Sequence, residues 1–136
     1  MPLLRRYVDP FVLIRQTEGC DIAQGEHYLR GTVGEGLAIE VQECYRAFVN
    51  ECLQRQSKCA LVVGRARSDA FYHLALRDVL RSMTLVGLPP GFRLALVSET
   101  AELIAVYDAA MLEALRCGIE AKRFATEPEA AAWLAA

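Results

Sequence analysis

Five consecutive apolar residues, Cys59-Ala60-Leu61-Val62-Val63, stand between the polar stretch Gln54–Lys58 and the turn Gly64-Arg65-Ala66-Arg67. Such a run has no polar side to offer to water. Preceded by a helical pattern and bounded by polar residues, it is expected to form a fully buried central strand of a parallel sheet. A strand of that kind needs strands beside it and helices over it.

Both are there. Phe11–Ile14, extended by Arg15, Gln16 and Thr17 and closed by Glu18-Gly19, predicts a first strand. After a polar turn, Glu26–Val33 alternates and predicts a second, joined to the first as a hairpin. Past Gly34-Glu35-Gly36 the period lengthens: Leu37, Val41, Cys44, Tyr45, Phe48, Val49 and Cys52 mark one stripe of an amphipathic helix. Ser68-Asp69 opens a second helix, with Phe71, Leu74, Ala75, Val79, Leu80 and Met83 inward. The loop Leu88-Pro89-Pro90-Gly91 precedes a strand over Phe92–Val97. Ser98 or Thr100 then caps a third helix, striped by Leu103, Ile104, Tyr107, Met111 and Leu115 and ended by Gly118. Ile119–Ala125 is a last strand, placed at a sheet edge by Lys122 and Arg123. Thr126, Pro128 and Glu129 form a capping-box start for a short terminal helix carrying Ala130, Trp133 and Leu134 inward.

The order β-β-α-β-α-β-α-β-α predicts an α/β domain, a mostly parallel five-stranded sheet with one antiparallel strand from the N-terminal hairpin. The 136 residues suit a single domain, 1–136, large enough to bury a core without metal or disulfide staples. Hydrophobic residues make up 54% of the chain, which argues against disorder. A net charge of −2 argues against nucleic acid as a partner, since that binding depends on clustered Lys and Arg. No apolar run approaches the ~20 residues of a membrane helix, and Met1–Pro10 is too charged for a secretory leader.

The five cysteines, Cys20, Cys44, Cys52, Cys59 and Cys117, are odd in number and lack a C-x-x-C pair. They are expected to be small buried hydrophobes in a reducing cytoplasm, with Cys44 and Cys52 on one helix face. Cys117, at a helix end, is the best-placed reactive thiol, although a helix C-terminus disfavours the thiolate.

The segment Phe92-Arg-Leu-Ala-Leu-Val97, a helix, Lys122-Arg-Phe124 and Glu129-Ala-Ala-Ala-Trp133-Leu134 together resemble the SpoIIAA-like branch of the STAS fold. That is a bacterial group of small proteins related to anti-sigma-factor antagonists, in which the lipid-binding CRAL-TRIO architecture is also invoked. The resemblance implies a regulatory module that works by protein–protein binding. It also places a phosphorylated serine near Ser68, but the flanking Asp-Ser-Ser-Gly pattern is absent.

Candidate sites follow, each with a plainer alternative. Ser68 with Arg65 and Arg67 could hold a phosphate or small anion at a helix start; otherwise Ser68 is an ordinary cap on a solvated basic turn. Asp69 and Phe71 extend that region as partner contacts. Tyr28, Tyr45, Tyr72 and Tyr107 with Met83 and Met111 could line a pocket for a lipid or other hydrophobic small molecule; otherwise they are core. Gly31, Gly34 and Gly36 lack a phosphate-loop pattern, and His27 and His73 lack partners at metal-ligand or catalytic spacing. The expectation is a non-catalytic interaction module, with no catalytic residues, cofactor or metal. It would engage a protein partner or form a homodimer; a hydrophobic-ligand carrier is the alternative.

Overall fold

The computed structural model describes residues 11–17, 19–34, 36, 38–65, 88–89 and 91–136. Among them the chain forms β1 (Val12–Thr17), β2 (Cys20–Gln24), β3 (Leu29–Val33), α1 (Ala38–Gln54) and β4 (Cys59–Gly64). There follow β5 (Arg93–Ser98), a 3-10 turn (Ala101–Leu103), α2 (Ile104–Arg116), β6 (Glu120–Phe124) and α3 (Glu127–Ala135). The helix expected from Ser68 lies outside the described residues.

The α/β class and the presence of an N-terminal antiparallel hairpin are as expected, but the hairpin joins β1 to β2 rather than to β3, and the sheet has six strands in the order β1-β2-β3-β4-β5-β6. The added strand is β2, in the stretch expected to be a polar turn. It pairs antiparallel with β1 on one side and β3 on the other, and the pairs from β3 to β6 are parallel. Cys20-Asp21-Ile22-Ala23-Gln24 is short and carries two polar residues, so its composition hides the strand. Its burial shows it, with Cys20, Ile22 and Ala23 inside.

The central run behaves as its composition demands. Ala60 and Val62 of β4, with Leu94 and Leu96 of β5, face the core that holds Tyr45, Phe48, Leu103 and Tyr107. Their neighbours Leu61, Val63, Ala95 and Val97 face a second cluster closed by Ala130 and Leu134. Right-handed crossovers that step repeatedly in one direction leave their helices on one face. Accordingly α1 and α2 share the first core, and α3, which follows β6, covers the other face. Trp133 packs there against Phe124, ring centroids 5.6 Å apart, and under the Arg93 guanidinium at 4.1 Å. Arg30 of β3 reaches Glu127 of α3 at 3.1 Å.

Local signals end the helices. At the end of α2 the Ile119 N–H donates to Ala114 O at 2.9 Å and the Gly118 N–H to Leu115 O at 3.1 Å. That pair of bonds turns the chain through a left-handed residue, here Gly118 with φ 82°. At α3 the Thr126 hydroxyl donates to Glu129 Oε1 at 2.8 Å and accepts from the Glu129 N–H at 3.5 Å, so the expected cap forms.

The end of α1 uses the same device with a less suitable residue. Gln56 N–H donates to Leu53 O and Ser57 N–H to Cys52 O, while Gln56 itself has φ 52°. A side chain in that conformation costs roughly 1 kcal/mol that glycine avoids. Gln56→Gly is therefore expected to raise stability by about 0.5–1 kcal/mol, read as a higher urea midpoint. A Gln56→Ala variant, which keeps a Cβ, should show no such gain.

Candidate functional site

Open α/β sheets bind ligands beyond the carboxyl ends of their parallel strands. In this chain that edge is formed by Gly34 after β3, Gly64-Arg65 at β4, Ser98-Glu99 at β5 and Arg123-Phe124 on β6. Backbone bonds hold the strand exits level: Arg65 N–H donates to Val33 O at 3.0 Å, and Glu99 N–H to Gly64 O at 2.9 Å.

Two ion pairs occupy the edge. Arg65 Nε donates to Glu99 Oε1 at 2.6 Å, and both side chains are largely open to solvent. Arg123 pairs through Nε with Asp108 of α2, and its Nη1 lies 3.4 Å from Ser98 Oγ. Ser98 is the buried polar residue of the described chain, 6% exposed. Its hydroxyl faces a guanidinium, which only donates and accepts nothing, so this contact does not activate it as a nucleophile. Among the described residues Arg65 and Arg123 are matched there by Glu99 and Asp108. Between exposed partners a pair is worth little, so Arg65 can exchange Glu99 for a ligand at small cost, whereas the Arg123–Asp108 pair is part-buried.

The described residues among those predicted from sequence fall in three places. Arg65 lies at the edge, already engaged by Glu99. Arg67, Ser68, Asp69, Phe71, Tyr72 and Met83, and with them His73, lie outside the described residues. Tyr45 and Tyr107 meet hydroxyl to hydroxyl at 3.0 Å inside the α1–α2 core, and Met111 packs against it half-buried. Tyr28 belongs to the opposite face, edge-on to Phe11 at 5.3 Å. The sheet thus separates Tyr28 from the other three. Ser98, Glu99, Asp108 and Arg123 were not among the candidates. Their signal was position: two lie at the exit of a predicted strand, the place where such sheets gather ligands.

One expectation is overturned. Cys20 and Cys44 are joined in a disulfide, Cα atoms 5.8 Å apart, that ties β2 to α1. Spacing along the chain could not show it, because the two residues meet only once β2 pairs with β3 and α1 folds back over them. The bond also removes the argument for a reducing compartment that rested on five free thiols. Cys52, Cys59 and Cys117 are free. Cys52 is a core residue as expected, and burial, reinforced by the neighbouring Glu51, pushes its thiol up to about 12. Burial also raises Cys59, with Arg93 opposing. Cys117 is half-buried at the α2 terminus.

The disulfide lines a cleft of about 220 Å³ at the same end of the sheet, walled by Arg15, Thr17, Glu40 and Glu43. A wider groove of about 470 Å³ shares Arg15 and Glu43 with it and continues along α1 past Arg46 and Asn50. No group of three or more potential metal ligands occurs among the described residues, and no described helix is long and apolar enough to cross a membrane. Comparison with family models, curated proteins and solved structures gives no match for the chain.

Proposed function

We propose that this chain is a non-catalytic interaction module of the SpoIIAA-like kind, binding a protein partner or a second copy of itself. The observation that carries the reading is the outward face of α2. Ile104, Leu112 and Leu115 are 41, 60 and 49% exposed there, while Leu103, Tyr107, Ala110 and Ala114 fill the inward side. A helix already satisfied by its own core has no folding reason to carry three large apolar residues outward on one stripe. Ile104 begins this stripe just past Glu99, so it adjoins the edge where Arg65 sits.

The strand–helix alternation and the capped Trp133-Leu134 helix support the same reading, although those residues also have clear packing roles. The contact region would join this stripe to the Arg65–Phe71 segment. A phosphate on Ser68 would then compete with Glu99 for Arg65 and change the charge that a partner meets.

Leu112→Glu tests the proposal. Sedimentation of the purified chain decides first whether it self-associates. If it does, the variant should sediment as a monomer. If it does not, cross-linking in host extract should capture a partner with the wild type and lose it with Leu112→Glu. An unchanged oligomer or an unchanged capture overturns the assignment. The carrier alternative asks for a space lined by Tyr45 and Tyr107, whose rings are 1 and 0% exposed in a packed core. Native mass spectrometry showing a retained hydrophobic molecule would reinstate it.

A further inference from the structure

The cleft beside β1 combines three features on which the interaction reading does not draw. A disulfide lines it through both cysteines, with charged side chains of both signs around it, and a longer polar groove leads in. The hairpin turn and the β3 exit bring these together: Gly34 N–H donates to Gly19 O at 2.8 Å, which sets the start of α1 against the end of β1. Arg15 stands at the rim from the β1 side, Glu40 and Glu43 from α1, and Arg46 follows along the groove.

Cys20 and Cys44 are only 6 and 3% exposed, but both line a solvent-connected cleft, which gives an incoming thiol a path to the bond without global unfolding. Exchange depends on access as much as on thiol chemistry. The charges around it further select the reactant. A simple alcohol-thiol would gain nothing from Arg15 and Arg46. A small peptide thiol bearing carboxylates and an ammonium group finds guanidinium groups for the first and the exposed Glu43 carboxylate for the second.

We propose that the Cys20–Cys44 disulfide is a thiol-exchange site, entered through this cleft by a small zwitterionic thiol of the glutathione type. In the first step the thiolate of the incoming molecule attacks one cysteine sulfur. A new S–S bond joins the small thiol to that cysteine, the Cys20–Cys44 bond breaks, and the other sulfur leaves as a thiolate that takes a proton from water. A second small thiol then attacks the sulfur of the first. The small molecule leaves as its own disulfide, and the protein is left with two thiols. Two electrons pass from two small thiols to the protein. The same steps in reverse close the bond, and while it is open α1 is no longer tied covalently to β2.

The test uses the full chain in its disulfide form. Opening is followed by alkylation of the freed thiols and mass spectrometry, with glutathione in one arm and uncharged 2-mercaptoethanol in the other. Glutathione should open the bond in the folded protein, and a glutathione adduct should be trapped on Cys20 or Cys44. Arg15→Gln should slow the glutathione reaction about two- to fivefold, the size of a contact between exposed charges, and leave the 2-mercaptoethanol rate unchanged. Arg15→Lys should keep the glutathione rate. Equal slowing with both thiols would overturn the proposal, since Arg15 would then act only through local structure. Opening at the rate of global unfolding, or free Cys20 and Cys44 in chain purified under air, would overturn it as well.

Discussion

Gly64→Ala is expected to destabilise the chain by about 2–3 kcal/mol, in the range of overpacked cores. Gly64 ends β4 where Tyr107 and Leu103 cross the sheet. A Cβ built there would lie 2.6 Å from Tyr107 Cζ and 2.7 Å from Leu103 Cδ1, and nearer still to the tyrosine hydroxyl. None of these can retreat cheaply. Tyr107 and Leu103 are both fully buried, and the Tyr107 hydroxyl is held at 3.0 Å by that of Tyr45 on α1. Moving the ring to admit a methyl group would break that bond, at roughly 1 kcal/mol in addition to the strain. The mechanism makes a further demand. Tyr107→Phe removes the atom closest to the new Cβ, so Gly64→Ala should cost less in that background than in the wild type. A double-mutant cycle from urea midpoints would read the coupling directly, and strict additivity of the two costs would show that the hydroxyl is not the obstacle.

How far such features could be read from residues alone varied with the kind of information they carry. The runs Cys59–Val63 and Phe92–Val97 declare themselves because both faces of β4 and β5 are buried, so every position must be apolar. The cap at Thr126 and the stop at Gly118 are equally legible, because each depends on residues within one turn. Strand β2 was not, since Asp21 and Gln24 give it the composition of a turn and its partners β1 and β3 supply the reason to extend. The same limit hid the site. Arg65 meets Glu99 34 residues later, and Arg123 meets Asp108 and Ser98, only because β4, β5 and β6 lie side by side in sequence order. Tyr28 and Tyr45 look alike as aromatic residues, yet Tyr28, just before β3, packs on the α3 face, whereas Tyr45 is carried by α1 on the other face of the sheet.

Reducing the Cys20–Cys44 disulfide is expected to lower stability by about 3 kcal/mol and Tm by about 10 °C. The bond closes a loop between residues 24 apart in sequence, so opening it returns freedom chiefly to the unfolded chain. The folded state should change much less, because α1 keeps its apolar stripe. Val41, Tyr45, Phe48, Val49 and Cys52 remain buried against Ile22, Leu29 and Val33 whether or not the sulfurs are joined. The reduced chain should therefore still melt cooperatively, with helix content near that of the oxidised chain by circular dichroism. Paired melts with and without a strong dithiol measure the difference. A Cys20→Ala/Cys44→Ala chain is the control: it should melt near the reduced protein and ignore the reductant. Cys52→Ala should leave the response to reductant intact, since that thiol is buried and takes no part in the bond. If the wild type melts at one temperature in both conditions, the covalent tie between β2 and α1 contributes nothing, and packing alone holds α1 on the sheet.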